Sequence, residues 1–343
     1  MHFLIAVVVA STALFPVDAQ RTPAKPRRPA AQQRTQAPPQ PSIEEVIAVQ
    51  VALTREGFST GVIDGRMGVN TTRALDAYRK QRASDPAPSP EPLVAYQITD
   101  EDAAGPFEPE IPTDLMEQSK LPALSYRSVA ELLAERFHTT PEILKKLNPD
   151  AAMNAGTSIR VPNVDAFMLP STSASKPAQA ASTSKPQQGR AVGTTGRAAA
   201  ASTPALDPVV ITVSRSGSSL TVTSQDGRIL YFAPVTTGSE HDPLPLGDWN
   251  VTGVYYNPPF RYNPDLFWDA NPSHSKATIP RGPNGPIGVV WIDLTKEHYG
   301  IHGAPEPSQI GRTQSHGCVR LTNWDAVKVA GMVGPGTPVR FVE

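Results

Sequence analysis

YGIHGAPEPSQIGRTQSHGCVRLTNWDAVKVAGM, residues 299–332, holds the chain's single cysteine, Cys318, sixteen positions after His302 and two after His316. A thiol attacks a carbonyl carbon only as its thiolate, so a working cysteine needs a nearby base or a field that favours its anion. His302 is the first candidate. If residues 299–302 form a strand, alternation sends Tyr299 and Ile301 to one face and His302 to the other, where a neighbouring strand end can present Cys318. Gly317 permits a tight backbone just before the sulfur, so the amides of Gly317 and Cys318 can point together at a developing oxyanion. A helix is predicted over 324–332.

Outward from this stretch the pattern is that of strands. Val209, Ile211 and Val213 alternate with polar residues, Ser216-Gly217 turns the chain, and Leu220 and Val222 resume the alternation. Asp226-Gly227 is a hairpin signal before 229–235. Further strands are predicted at 249–255, 287–294 and 299–302. Residues 207–343 therefore read as a mostly β domain with one short helix, and 257–279, rich in proline and aromatics, as a cover for its cleft.

The chain has 343 residues, too long for one ordinary core, and 37 prolines, about twice the usual frequency of roughly 5%, so part of the length reads as linker. Formal net charge is −1 and no long basic run occurs, which excludes the electrostatic footprint of a nucleic-acid binder. An apolar stretch at 3–15 ends in Val17-Asp18-Ala19 and reads as a secretion signal cut after residue 19, the alternative being an uncleaved anchor. No later segment is apolar enough to span a membrane. An exported chain with one thiol cannot close an internal disulfide, so Cys318 is either buried or used.

Residues 20–41 read as a disordered linker. Ser42 and Glu45 form a capping-box signature, with Ile43, Val46, Ile47 and Leu53 at helical spacing up to Gly57. After the Asp64-Gly65 turn, Asn70 is a candidate cap for a second helix carrying Ala74, Leu75 and Tyr78, so 42–82 is predicted to be a small helical module. Residues 83–120 read as a second linker. In 121–163 a weak strand at 123–126 precedes helices opened by Ser128, with Glu131, and by Thr140-Pro141, then a strand at 159–162. Residues 164–206 read as a third disordered linker.

At Ile301-His302-Gly303 and Ser315-His316-Gly317-Cys318-Val319-Arg320 the chain resembles the YkuD-type L,D-transpeptidases, which pair a His-Gly with a Ser-His-Gly-Cys followed by Arg or Asn two positions on. Pro245-Leu246-Gly247 and Gly285-Pro286-Ile287-Gly288 support the likeness, which covers 207–343. It implies a β-sandwich with Cys318 as nucleophile, His302 as base and the Gly303 carbonyl orienting the imidazole. Gly317 belongs to the catalytic loop. His316 is either catalytic or a structural hydrogen-bonder. Ser315 and Arg320 are implied in substrate binding, Arg320 having Asp325 as an alternative partner. The reaction implied is transfer of a peptidoglycan stem-peptide acyl group, through a cysteine thioester, to an amine or to water.

Residues 42–82 are similar to the helical peptidoglycan-binding domain of wall enzymes, carried by Gln50, Leu53, Gly57, Asp64-Gly65, Gly68, Thr72 and Ala74. Residues 121–163 are similar to a LysM module, carried by Leu147-Asn148-Pro149 and 159–162, and are either a glycan binder or a spacer. The whole reads as a multidomain wall enzyme of the periplasm or cell wall, with peptidoglycan as partner. His298, His302, His316 and Cys318 offer nitrogen and sulfur donors, but their spacing fits no common zinc module, so neither metal nor cofactor is expected. The sequence leaves the oligomeric state open.

Overall fold

A computed structural model describes residues 41–169 and 207–343. The predicted secretion signal, the linker up to residue 40 and residues 170–206 of the third linker lie outside them.

Alternation produces the strands of the C-terminal domain. In β3 (Val209–Ser214), β4 (Ser219–Ser224) and β5 (Ile229–Pro234), the apolar residues Ile211, Val213, Leu220, Val222 and Ala233 point into one core. Gly227 sits at positive φ in the predicted turn between β4 and β5. β6 (Gly247–Tyr256) and the hairpin of β7 (Phe260–Tyr262) and β8 (Ala277–Ile279) come next. β9 (Val290–Leu294), β10 (Gly300–His302) and β11 (Val319–Arg320) lead to a helix, Asn323–Ala330, and the chain ends in β12 (Pro338–Val342).

Eight of these strands form one sheet in the order β11-β10-β9-β6-β12-β3-β4-β5. The expected sandwich is therefore corrected to a single curled sheet. Register shifts at Val251/Gly253 and Val222/Thr223 mark bulges, which bend and twist a sheet. The curl brings the two edges together: just past β5, Thr236 exchanges backbone hydrogen bonds of 2.8 and 3.0 Å with Arg320. Trp324, Ala326 and Val329 of the helix share the core with residues from both ends of the sheet.

The N-terminal part begins with α1 (Ile43–Arg55) and α2 (Val69–Arg82). The Ser42–Glu45 capping box forms as predicted. Asn70 does not cap α2; the cap is Gly68, two residues earlier, and the Asn70 amide donates to the Ile310 carbonyl at 2.8 Å. Within residues 83–120, expected to be linker, lie β1 (Leu93–Gln97), α3 (Asp100–Ala104) and α4 (Leu115–Gln118). α5 (Val129–Arg136), α6 (Pro141–Leu147) and β2 (Ser158–Pro162) follow; the terminal helix Asn323–Ala330 is α7.

The partner of β2 is β1, antiparallel from Leu93↔Pro162 to Gln97↔Ser158, not the predicted 123–126. Leu124 is buried, but its backbone bonds to Arg281 and Asn284 beside β8. Proline and acidic residues around a five-residue strand hid its pattern. An ion pair between Asp102 and Arg136, to which Tyr96 also bonds, fastens α3 to α5.

The described residues, 41–169 and 207–343, fall in one compact unit. The α1–α2 pair covers the outer edge of β5: the Gln81 carboxamide bonds Ile229 N and O at 2.6 and 3.1 Å, and Phe232 exchanges backbone bonds with Gly57 and Ser59. An exposed strand edge is a template for aggregation, and here it is blocked. Phe58, 1% exposed, packs on Leu53, Ala74, Leu75 and Phe232. Phe58→Ala is expected to lower stability by about 3–5 kcal/mol in denaturant melts of the full chain. A helical pair merely tethered to the sheet would leave the main transition where it was.

Candidate active site

The short parallel ladder between β10 and β11 sets the site. Ile301 lies opposite Val319 and His302 opposite Arg320. Ile301 and Val319 are fully buried in the core, so His302 and Arg320 share the other face, and the same alternation puts Cys318 there too. The two separated motifs of the sequence thus meet on one face of adjacent strands.

His302 is 4% exposed and stacks on Trp291 of β9, with ring centroids 5.4 Å apart. Its Nδ1 is 2.6 Å from the Gly303 carbonyl oxygen. A carbonyl only accepts, so Nδ1 carries the proton and Nε2 keeps its lone pair. Burial, with Arg320's charge adding to it, pulls the His302 pKa down to about 3 against the upward pull of the Gly303 bond. Burial likewise pushes the Cys318 thiol up, opposed by a backbone hydrogen bond from Gly300 and by Arg320. Both causes favour a neutral resting pair, a thiol and an imidazole, over a thiolate–imidazolium pair.

Gly317 has φ +99°, and a Cβ there would lie 2.6 Å from the Tyr299 ring, so the residue before the sulfur has to be glycine. Ser315 is buried and its hydroxyl donates to the Cys318 carbonyl at 2.6 Å. That bond braces the loop from within. His316 bonds Asp269 at 2.9 Å through Nε2 and packs edge-on against Phe267, so it ties the loop to the segment between β7 and β8. His298 pairs with its neighbour Glu297.

Arg320 does not pair with Asp325, which instead accepts from Tyr231 at 2.7 Å. The Arg320 Nε is buried without a partner, and burial pulls its pKa down while Cys318 opposes that. A guanidinium whose Nε lacks a partner is suited to a carboxylate. Tyr299 opens the Tyr299–Gly303 run and Trp291 reads from sequence as either core or groove, whereas Asp269 stands in no motif; sheet pairing and loop folding bring all three here.

A thiol, an oriented neutral imidazole and a cation with an unpaired Nε on the rim of a curled sheet are groups that cysteine acyl transfer can use. Residues 208–341 match the family model of YkuD, the L,D-transpeptidase catalytic domain, so the C-terminal part of the chain is such a domain. The chain is 48% identical to YkuD of Bacillus subtilis over 59 residues, 17% of this chain and 36% of that protein. It is 29% identical to YqjB of the same organism over 143 residues, 40% of this chain and 72% of the relative. Both relatives are named as L,D-transpeptidases. The match spans about a third of the length of the first of them. Among solved structures, an L,D-transpeptidase from Mycobacterium smegmatis aligns with TM-score 0.32 and 22% identity over 39% of this chain and 58% of that one.

A neutral resting pair has a kinetic signature. Alkylation of Cys318 by iodoacetamide is expected to climb with pH through the alkaline range, with a midpoint above that of a free thiol and no acidic plateau. A pH–rate profile levelling off below neutrality would show a preformed ion pair instead.

Proposed function

We propose that the protein is an exported L,D-transpeptidase that acts on peptidoglycan stem peptides through a Cys318 thioester. The observation that carries this reading is the His302 Nδ1–Gly303 bond, which leaves Nε2 free on the face shared with Cys318. His302 takes the thiol proton as sulfur attacks the carbonyl carbon of an L-centre. The C–N bond to the following D-residue then breaks, and His302 returns the proton to the departing amine. An incoming amine, losing its proton to the same imidazole, releases the acyl group from sulfur; water in its place gives hydrolysis. Gly317 leaves room for the carbonyl, Arg320 holds a substrate carboxylate, and His316 positions the loop.

The helical pair at 42–82 and the β1-α5-α6-β2 unit are read as peptidoglycan-binding and LysM-like elements that hold the enzyme on its polymer in the periplasm or wall. The antiparallel β1–β2 pair, with α5 and α6 packed on one another between its strands in the chain, supports the second likeness; β1 replaces 123–126 as its first strand, and α3 and α4 are inserted after it. Among the described residues no helix is long and apolar enough to cross a membrane. Tethering raises the local concentration of stems.

Cys318→Ala is expected to abolish the acyl-enzyme mass adduct while leaving binding to purified sacculi intact; turnover retained in that variant defeats the proposal. Arg320→Ala is expected to raise KM for stem peptides by about tenfold or more, in line with loss of a charge-assisted hydrogen bond. Weighing the products of stem-peptide digests with and without an amine acceptor separates transfer from hydrolysis.

A further inference from the structure

Asn323, the first residue of α7, is fully buried, and its carboxamide is wedged between two glycines of the site. A Cβ at either Gly288 or Gly303 would collide with Asn323 Oδ1. That oxygen accepts from Val289 N at 3.2 Å. The amide therefore packs against the Cα of Gly303, the residue whose carbonyl orients His302. Its Nδ2 donates to the Pro283 carbonyl at 3.1 Å and, at 3.0 Å, to Oε1 of Glu135.

Glu135 lies on α5, far from the transpeptidase domain in sequence. It is 6% exposed and also accepts from the Tyr126 hydroxyl at 3.1 Å. A carboxamide has two orientations that differ little in shape, and what selects between them is the partner on each side. Glu135 Oε1, which also accepts from Tyr126, meets the NH2 end, as does the Pro283 carbonyl. That leaves the oxygen toward Val289 N and the two glycines.

We infer that Glu135 is a positioning residue for His302: through Asn323 and Gly303, the N-terminal unit closed by β1 and β2 completes the acyl-transfer site. The inference rests on the reading of His302 as the base of Cys318. The groups facing Glu135 are Asn323 of α7, Tyr126 ahead of α5, and the charge of Glu131 on its own helix. Burial raises the Glu135 pKa to about 8, so a neutral side chain at this position reproduces its state near neutral pH. Glutamine keeps an oxygen for Asn323, whereas leucine fills similar space without one.

The test is acylation of Cys318 by a carbapenem in the full chain, followed by intact-mass spectrometry, a readout that does not depend on peptidoglycan being the natural substrate. Glu135→Leu is expected to slow the first-order acylation step at least about tenfold, as a displaced general base does, with the half-saturating carbapenem concentration little changed. Glu135→Gln restores the rate to within about twofold, and Tyr126→Phe, which removes only the other donor, stays within about twofold of the parent. Thermal melts establish that each variant is folded at the assay temperature. If Glu135→Leu does not fold, Asn323→Asp carries the test, because it keeps the Val289 contact, loses donation to Glu135 and is expected to slow the same step.

His302→Ala run in parallel separates the two layers. If it acylates as fast as the parent, the base assignment and the inference both fall. If it is slow while Glu135→Leu is not, or if Glu135→Gln fails to restore the rate, the base stands and the role of Glu135 is overturned.

Discussion

Two residue pairs of parallel strand, Ile301↔Val319 and His302↔Arg320, hold the rest of the site in place. Because side chains alternate, burying Ile301 and Val319 in the core fixes His302, Cys318 and Arg320 on the opposite face. A slip of one residue would turn the imidazole inward and bring Ile301 to the surface. The apolar core thus enforces the register that the chemistry requires. The Thr236–Arg320 bridge strengthens this by pairing β11 on its second side, so that a two-residue strand is not left at an open edge.

The electrostatics follow from the same burial. His302 and Cys318 lie where a charge is poorly solvated, and both respond by remaining neutral. Arg320 is the exception, a cation that cannot discharge, with its Nε left unpaired. Its field lowers both pKa values, aiding thiolate formation and opposing imidazolium. The site at rest is therefore short of one anion, and a carboxylate or a developing oxyanion would supply it. Two features keep the imidazole from rotating: the Gly303 carbonyl at Nδ1 and the Trp291 ring beneath it.

The N-terminal region is built into this arrangement at three places. The α1–α2 pair covers the β5 edge and, through Asn70 and Arg73, bonds the Ile310 and Gly311 carbonyls of the loop that leads to Ser315. Residues 98–128 lay Ile111, Leu115, Met116, Leu121 and Leu124 against Tyr262 and Ile279, while Asp114 bonds His274 at 3.0 Å, buttressing the β7–β8 hairpin. Asp269, in the same hairpin, holds His316. Glu135 reaches Asn323. Each contact ends on an element that carries or orients a site residue.

Short-range signals in the sequence determined much of this. His302-Gly303 and Ser315 to Cys318, the alternation of β3 to β5, the Asp226-Gly227 turn and the Ser42–Glu45 cap depend on neighbours a few positions apart, and all are present in the structure. Tertiary structure alone decided the roll of the sheet into one closed curl, the central place of β12, the pairing of β1 with β2, and the partners of His316 and Asn323. The physical reason is distance along the chain. Asn323 and Glu135 are 188 residues apart, and no local periodicity records a hydrogen bond between them. A lone buried glutamate on a helix reads as an exposed charge until the fold supplies the amide it faces.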